Sequence, residues 1–377
     1  MFQVLEKVQD LERQGRKIIH FELGEPDFST PPNIINAAIQ AIKRGVTHYT
    51  SSLGLHAFRE AAQQATARSR HFTPDISQIL VTPGANAIIY YAIKCLVSPG
   101  EEVLIPNPGF PTYFSAAAAC GATAVSVPLK EEHGFALQAR DVEVAISPKT
   151  KLLIINTPSN PTGAAMSKQE LLDVFAVAAQ HDLFVLSDEI YSRLIYSPDR
   201  QFFSVSEIDH CKERTIVING FSKAFAMTGW RLGCAIGPTP VIEKMGLLNE
   251  TIVSCVPPFI QTAGIEAIIG DQTTVREMSK EYHERSLLLT TELNKLPGIT
   301  CTTPDGAIYV FPNISKTGMT SCEFADFALK EANVAVCPGT SFGEFGEGFV
   351  RFSCVTSTDN INKAIAQLKA ALSKKLR

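Results

Sequence analysis

One stretch is the most informative part of this chain: Thr215-Ile-Val-Ile-Asn-Gly-Phe-Ser-Lys223-Ala-Phe-Ala-Met-Thr-Gly-Trp-Arg231. Its β-branched apolar run is typical of a strand, and the run ends at Gly220, shortly before Lys223. A lysine in that place can be held out of bulk water, where its pKa falls and its amine becomes a usable nucleophile or base. Arg231 follows at a spacing that lets it return toward the same pocket. Taken alone, the stretch does not distinguish a site lysine from a solvated surface charge.

Further short apolar runs lie upstream and alternate with helical patterns between about residues 79 and 240. They cover residues 79–81, 103–105, 152–155, 183–186 and 216–218. One intervening helix is marked at its start by a capping box, Ser167-Lys-Gln-Glu170. Strands that alternate with helices predict an α/β fold in which a large domain has a mostly parallel sheet covered by helices on both faces.

The pattern changes after about residue 270. Helical stretches near 273–295, 321–332 and 358–373 alternate there with β-like runs at 307–311 and 349–352. Residues 2–14 predict an amphipathic helix, with Phe2, Leu5, Val8 and Leu11 on one face and Gly15 as its stop. We therefore expect two domains: a large domain over residues 32–270, and a smaller α+β domain formed by residues 1–31 and 271–377.

Composition and charge exclude several classes of function. A 377-residue chain with 45% hydrophobic and 19% charged residues suits a soluble globular protein, and a net charge of −4 gives no reason to expect nucleic acid or an anionic membrane as a partner. No apolar run is long enough to span a bilayer, and no signal sequence is apparent. Nine cysteines without a C-x-x-C pair indicate reduced thiols and a cytoplasmic protein. The eight histidines show no metal-ligand spacing, so we expect no metal.

Five residues follow apolar runs at short distances, and together they predict a binding site. In parallel sheets of this type, ligands bind beyond the carboxyl ends of the strands. The residues placed there are Gly84, Phe110, Asn160, Asp188 and Lys223. A purely structural interpretation does not require such groups to gather at one edge of the sheet.

Three motifs occur in a characteristic order: Asn160-Pro-Thr-Gly, Asp188-x-x-Tyr191, and Ser222-Lys223 with Arg231. In this order they resemble the pyridoxal-phosphate aminotransferases of the aspartate aminotransferase superfamily (fold type I, class I/II). The resemblance runs from Gly24 to Arg351, nearly the whole chain. It implies pyridoxal phosphate as cofactor, amino-acid and 2-oxo-acid substrates, and a large cofactor-binding domain joined to a smaller one.

The resemblance also implies roles for the central residues. Lys223 is the candidate Schiff-base lysine, which substrate amine would displace and free for proton transfer. Asp188 would remain ionised and keep the pyridine nitrogen of the cofactor protonated. Tyr191 and Asn160 can both donate hydrogen bonds to the phenolic oxygen of the ring.

An anion site for the cofactor phosphate is expected at Gly84-Ala85-Asn86, where a turn opens a helix whose free N–H groups favour an anion. Arg231 would add a charged donor and Ser222 a hydroxyl. Phe110 stands where the family places an aromatic ring that stacks on the cofactor, although it could also be a core residue. Tyr49 matches a tyrosine that reaches the phosphate in the neighbouring subunit, which implies a homodimer with shared sites; the alternative for Tyr49 is a buried core tyrosine.

The substrate carboxylate requires an arginine fork, and Arg351 resembles the family arginine that clamps it. Gly24 and Asn160 would line the same pocket. The side chain of the amino-acid donor stays open. Some aspartate-preferring members carry a lysine where this chain has Asn86, which weakens an aspartate assignment and leaves alanine, aromatic and other neutral donors as alternatives. Two other functions fit the same residues: elimination of a C–S bond or related β/γ-chemistry, and a cofactor-sensing regulator, which would need an attached DNA-binding module.

Overall fold

The computed structural model describes residues 2–196 and 201–375 of the chain. Within these ranges the strands are β1 (Ile19–His20), β2 (Ile79–Thr82), β3 (Glu102–Asn107), β4 (Thr123–Pro128), β5 (Thr150–Asn156), β6 (Phe184–Asp188), β7 (Thr215–Gly220), β8 (Gly233–Ile236), β9 (Tyr309–Val310), β10 (Val334–Ala335), β11 (Cys337–Pro338) and β12 (Val350–Ser353). The helices are α1 (Phe2–Arg13), α2 (Pro32–Lys43), α3 (His56–Arg70), α4 (Ala85–Leu96), α5 (Pro111–Ala119), α6 (Ala139–Ala145), α7 (Lys168–Gln180), α8 (Ser206–Asp209), α9 (Thr239–Val253), α10 (Pro258–Ile269), α11 (Thr273–Leu293), α12 (Ser321–Ala332) and α13 (Thr358–Lys375).

The described residues form a central seven-stranded sheet in the order β2-β8-β7-β6-β5-β3-β4. All its strand pairs are parallel except those that β8 makes with β2 and β7. The register places Asn156 beside Asp188 and Asp188 beside Ile218, so the carboxyl ends of β5, β6 and β7 reach the same edge. The predicted mostly parallel sheet is therefore confirmed. Five of its seven strands (β2, β3, β5, β6 and β7) occur where the apolar runs lie, whereas β4 and β8 were not predicted.

Helices cover both faces of this sheet. Successive residues of a strand point to opposite faces and pack in different hydrophobic clusters. Ile154 and Leu186 pack with α4 on one face, whereas Leu153 and Val185 pack with α7 on the other. Strands buried on both faces read as continuous apolar runs, which is why the sequence marks them without alternation. The capping box that opens α7 is present, with the backbone N–H of Glu170 donating to the Ser167 hydroxyl.

The two ends of the chain pack together. Strand β1 pairs in parallel with β10, and β11, β12 and β9 form an antiparallel sheet. A separate hydrophobic cluster contains Ile19 and Phe21 together with residues of α11, α12 and α13. In α1 the predicted apolar face is represented by Val8, which is buried, and Leu11, which packs beside it; the Phe2 and Leu5 side chains lie outside the described residues.

Two further searches cover the same part of the chain. In residues 2–196 and 201–375, no helix is long and apolar enough to cross a membrane. Nor do those residues contain a group of three or more His, Cys, Asp or Glu side chains that could hold a metal ion.

Candidate active site

A cavity of about 320 Å³ lies at the carboxyl edge of the central strands. Most of the residues predicted for the site line it: Gly24, Ala85, Asn86, Phe110, Asn160, Asp188, Tyr191, Ser222, Lys223 and Arg231. These residues come from seven separate segments of the chain, and the parallel order of β5, β6 and β7 brings the last residues of those strands together. Gly84 adjoins the cavity and Arg351 contacts two of its lining residues, Asn160 and Tyr309, whereas Tyr49 does not line it.

Asp188 is the last residue of β6 and is 4% exposed. Its Oδ2 accepts a hydrogen bond of 2.6 Å from the Tyr113 hydroxyl, and its Oδ1 accepts one of 3.2 Å from the Ile190 backbone N–H. Burial raises the pKa of Asp188 to about 6, and the Tyr113 hydroxyl opposes that rise. No described cation forms an ion pair with this carboxylate, so a bound cationic group would supply the missing charge.

Two buried tyrosines form a hydroxyl pair beside Asp188. The hydroxyls of Tyr191 and Tyr309 are 2.8 Å apart, and their rings meet edge to face. Burial raises the pKa of Tyr191 well above its usual value, so the hydroxyl stays neutral and can donate a hydrogen bond. A β-carbon on Gly24 would overlap the Tyr309 hydroxyl, so a larger residue at this position would displace that hydroxyl from Tyr191.

Lys223 lies in the loop that follows β7 and is half-buried. Its ammonium donates a hydrogen bond of 2.6 Å to the backbone carbonyl of Gly24. The next turn brings Arg231 back toward the cavity, with its Nη1 donating to the Thr228 carbonyl at 2.9 Å. The predicted return of Arg231 to the pocket of Lys223 is therefore observed.

The predicted anion site is a helix start with an arginine beside it. Gly84 has a φ of +87° and immediately precedes α4, whose first backbone N–H groups have no partners within the helix. A β-carbon on Gly84 would lie 2.6 Å from Nη2 of Arg231, so only glycine lets the guanidinium approach this closely. Together, free N–H groups, a glycine cradle and a forked cation suit a phosphate.

Arg351 is 1% exposed and lies in β12. Its Nη1 donates to Oδ1 of Asn160 at 2.9 Å, and its Nη2 donates to the backbone carbonyl of Glu22 at 2.6 Å. The guanidinium carbon is 4.4 Å from the ring centre of Tyr309. No described carboxylate pairs with it, and its Nε has no hydrogen-bond partner. A buried cation without an anion is costly, so this arginine suits a bound carboxylate.

Two residues of this site were not predicted from the sequence. Tyr113 belongs to α5, and Tyr309 lies in β9 within a run recognised only as β-like. Each acts through its hydroxyl on a predicted residue, Tyr113 on Asp188 and Tyr309 on Tyr191. The available signal was a tyrosine in an otherwise apolar segment, because a buried tyrosine usually places its hydroxyl against a partner.

Tyr49 is 88% exposed, so the alternative of a buried core tyrosine is wrong. Its segment packs on α9, where the Asn249 amide donates to the Ser52 carbonyl at 2.8 Å. The same helix carries Leu247 and Ile252, which are 66% and 54% exposed. An exposed tyrosine in a segment that packs on a helix with exposed apolar side chains indicates a surface that a partner could cover.

Comparison with known proteins gives a consistent result. The family model described as aminotransferase class I and II matches residues 16–368. The aspartate aminotransferase of Pyrococcus abyssi is 40% identical over 98% of this chain and 96% of its own, and aromatic-amino-acid aminotransferase 2 of Thermococcus litoralis is 39% identical over 98% and 96%. A solved aromatic aminotransferase from Pyrococcus horikoshii OT3 superimposes with a TM-score of 0.93 at 39% identity, covering 98% of this chain and 99% of that one.

These relatives are named for amino-group transfer, and they do not favour a C–S lyase or a regulator. The aminotransferase class implies pyridoxal phosphate, and the cavity offers an amine, a carboxylate with no cationic partner among the described residues, and an anion cradle that fit it. Sequence motifs, site geometry and similarity over almost the full length agree. The chain therefore belongs to the aminotransferases of class I and II.

Proposed function

We propose that this enzyme moves the α-amino group of an L-amino acid to a 2-oxo acid in two half-reactions, with pyridoxal phosphate as cofactor. One observation carries the proposal: a single site holds the Lys223 amine, the buried Asp188 carboxylate and the buried Arg351 guanidinium, and neither of the last two has an ion-pair partner in the described part of the chain. Lys223 would bind the cofactor aldehyde, Asp188 the ring nitrogen, and Arg351 the substrate carboxylate.

When bound, pyridoxal phosphate supplies an aldehyde that holds amines and a ring that withdraws electrons. Lys223 would hold the aldehyde and, once its amine is free, move a proton to and from the substrate Cα. Asp188 would keep the ring nitrogen protonated, and the Tyr113 hydroxyl would help Asp188 to stay ionised. Tyr191 and the amide nitrogen of Asn160 would donate to the phenolic oxygen. The Asn160 oxygen already accepts from Arg351, which orients that amide nitrogen.

The remaining roles follow the position of each residue. Gly84, Ala85 and Asn86 at the start of α4 would bind the phosphate, with Arg231 and Ser222. Phe110 would stack on the ring; it lines the cavity and its own ring is held edge to face by Tyr113. Gly24, Asn160 and Arg351 would hold the α-carboxylate of the substrate.

We also propose that the chain is divided into two domains. Residues 32–270 would form the cofactor-binding domain, and residues 1–31 with 271–377 the smaller domain. Pairing of β1 with β10 and the hydrophobic cluster shared by Ile19, Phe21 and the C-terminal helices support this division.

We propose that the enzyme accepts amino-acid donors with neutral side chains at least as readily as donors with acidic side chains. Lys223 and Arg231 are the cations among the described residues that line the cavity, and both are assigned to the cofactor. Glu25 adds a negative charge to the wall, where its Oε1 accepts a hydrogen bond of 2.6 Å from Thr228. Alanine and aromatic amino acids are therefore expected to react at least as well as aspartate.

A homodimer with shared sites and a cytoplasmic location complete the proposal. Exposed Tyr49, with Leu247 and Ile252 on neighbouring α9, supports coverage of that surface by a second copy of the chain. All nine cysteines are described and free, which is typical of a reducing compartment.

The test is a screen of amino-acid donors against several 2-oxo acids, followed by the absorbance of the aldehyde and amine forms of the cofactor. We expect interconversion of the two forms and a new amino acid from each productive couple. Release of ammonia and a 2-oxo acid from a sulfur-containing donor, with no amino-group transfer in any couple, would refute the proposal in favour of a lyase.

A further inference from the structure

A second cavity, of about 450 Å³, adjoins the candidate active site at Ile190, which lines both. It is bounded by α3, by the residues at and after the ends of β6 and β7, and by the end of α10 with Gln272. Its volume lies in the range of small-molecule sites. None of the residues assigned above to amino-group transfer lines it.

Much of this cavity is apolar. Ala62 and Ala65 of α3 line one side, and Ile268 of α10 lines another. Phe221 and Phe225, which flank Lys223 in the chain, stack with ring centres 5.5 Å apart and also line the cavity. Such a lining gains free energy when an apolar group displaces water from it.

The charged groups of the cavity are three arginines and one carboxylate: Arg68, Arg70, Arg193 and Glu189. Arg70 and Glu189 neutralise each other, since Nε of Arg70 donates to Oε2 of Glu189 at 2.9 Å. Nη2 of Arg70 also donates to the Asn219 amide oxygen at 2.9 Å. The positive charge in excess therefore belongs to Arg68 and Arg193.

Neither of these two arginines has an acidic partner in the described part of the chain. Arg193 lies 5.2 Å from the ring centre of Phe225 and donates a single bond of 3.2 Å to the Gln272 side chain. The side chains of Arg68 and Arg193 are exposed, at the mouth of the cavity. The pKa of Arg193 is lowered by the protein atoms packed around its guanidinium and then by the positive charges of Arg70 and Arg68. An anion at the cavity would relieve this repulsion and satisfy a forked donor.

We propose that this cavity binds a small carboxylate with an apolar body. The guanidinium groups of Arg193 and Arg68 hold the carboxylate, and the body lies against Phe221, Phe225 and the alanines of α3. A compact inorganic anion would leave that apolar surface in contact with water, so the apolar body is part of the proposal. The occupant would contact Ile190 and Asn219, in the segments that carry Asp188 and Lys223.

The probe is 3-phenylpropionate, which has the proposed chemistry but no amino or oxo group to react. Its binding to the holoenzyme is measured by calorimetry, beside that of its uncharged amide and of inorganic phosphate. Arg193→Gln and Arg68→Gln should each weaken 3-phenylpropionate binding roughly ten- to a hundredfold, as expected for one lost hydrogen bond to a charged group. The matched control is Arg140→Gln, which changes an exposed arginine of α6 outside both cavities and should leave binding unchanged.

The probe could also enter the proposed substrate site, and Arg351→Lys distinguishes the two. Binding that is lost in Arg351→Lys but kept in both cavity variants overturns the proposal. The proposal is also overturned if the uncharged amide binds as tightly as 3-phenylpropionate, or if 3-phenylpropionate does not bind at the second cavity. Ala65→Phe, designed to fill the cavity, should abolish binding while thermal unfolding stays cooperative. If that variant does not fold, the two arginine variants still decide, because neither side chain belongs to the hydrophobic core.

Discussion

Removal of one buried hydroxyl should change the pH at which this enzyme can hold its cofactor. Tyr113→Phe deletes the 2.6 Å hydrogen bond to Oδ2 of Asp188 and keeps the ring that packs against Phe110. In the proposed function the cofactor would require ionised Asp188, and the pKa of that carboxyl is already raised to about 6 by burial. The hydroxyl lowers that pKa, so its removal must raise the pKa further.

The magnitude follows from the kind of bond. A hydrogen bond to a charged group contributes about 1.5–3 kcal/mol, which corresponds to a rise of roughly one to two pKa units. At pH 7 the carboxyl would change from about 90% ionised to between roughly 50% and 10%. Cofactor affinity at pH 7 should then fall roughly two- to tenfold relative to the unaltered protein, because only the ionised fraction binds.

The assay is titration of cofactor-free protein with pyridoxal phosphate between pH 5 and pH 9. The ratio of the two affinities isolates Asp188, because ionisation of the free cofactor affects both proteins equally. The deficit should vanish toward pH 9, where Asp188 is ionised in either protein. Tyr90→Phe is the matched control, since it removes a tyrosine hydroxyl from α4 outside this cavity. A ratio that does not change with pH would refute the role assigned to Tyr113.

Four further changes test the assigned residues. Lys223→Ala should abolish transamination and leave the cofactor held non-covalently; borohydride reduction and peptide mapping of the unaltered protein should locate the adduct on this lysine and on no other. Asp188→Asn should slow turnover by roughly a hundred- to several-thousandfold, the equivalent of about 3–5 kcal/mol. The pKa of Asp188 is higher in the folded protein than in the unfolded chain, so ionisation of this carboxyl destabilises the fold as pH rises through about 6. Asp188→Asn should therefore raise the free energy of unfolding of cofactor-free protein above that pH. Arg351→Lys keeps the charge but not the fork, so KM should rise for every donor, and a rise confined to acidic donors would show that Arg351 binds the side chain instead. Mixing inactive Lys223→Ala and Tyr49→Ala subunits should restore part of the activity if sites are shared, and heterodimers without activity would place Tyr49 outside the partner's site.

Most of the candidate site could be predicted because it is built from strand ends. Asp188 and Lys223 each follow an apolar run, and a parallel sheet necessarily brings the carboxyl ends of such runs to one edge. Gly84 follows the same logic, since a glycine turn before a helix is a local feature of sequence. For these residues, short-range pattern and a general rule of topology were sufficient.

Tyr113, Tyr309 and the second cavity were not predictable in this way. The Tyr113 hydroxyl reaches Asp188 across 75 positions of sequence, and Tyr309 reaches Tyr191 across 118. Contacts of this kind depend on how a helix or a short strand packs against the sheet. The hydrophobic periodicity of the sequence does not give the distance between side chains on such separate elements.

The sequence by itself determined the alternation of strands and helices, the order of the motifs and the chemical groups available at the sheet edge, because each depends on residues close together in the chain. Only the tertiary structure decided which charges lack partners. Among the described residues, Arg351 is buried without a carboxylate partner and Asp188 without a cationic one, and Arg193 lines a cavity together with two other arginines. Charge compensation depends on distances between elements far apart in the chain, and those distances are set by the packing of α3, α10 and β12 around the central sheet.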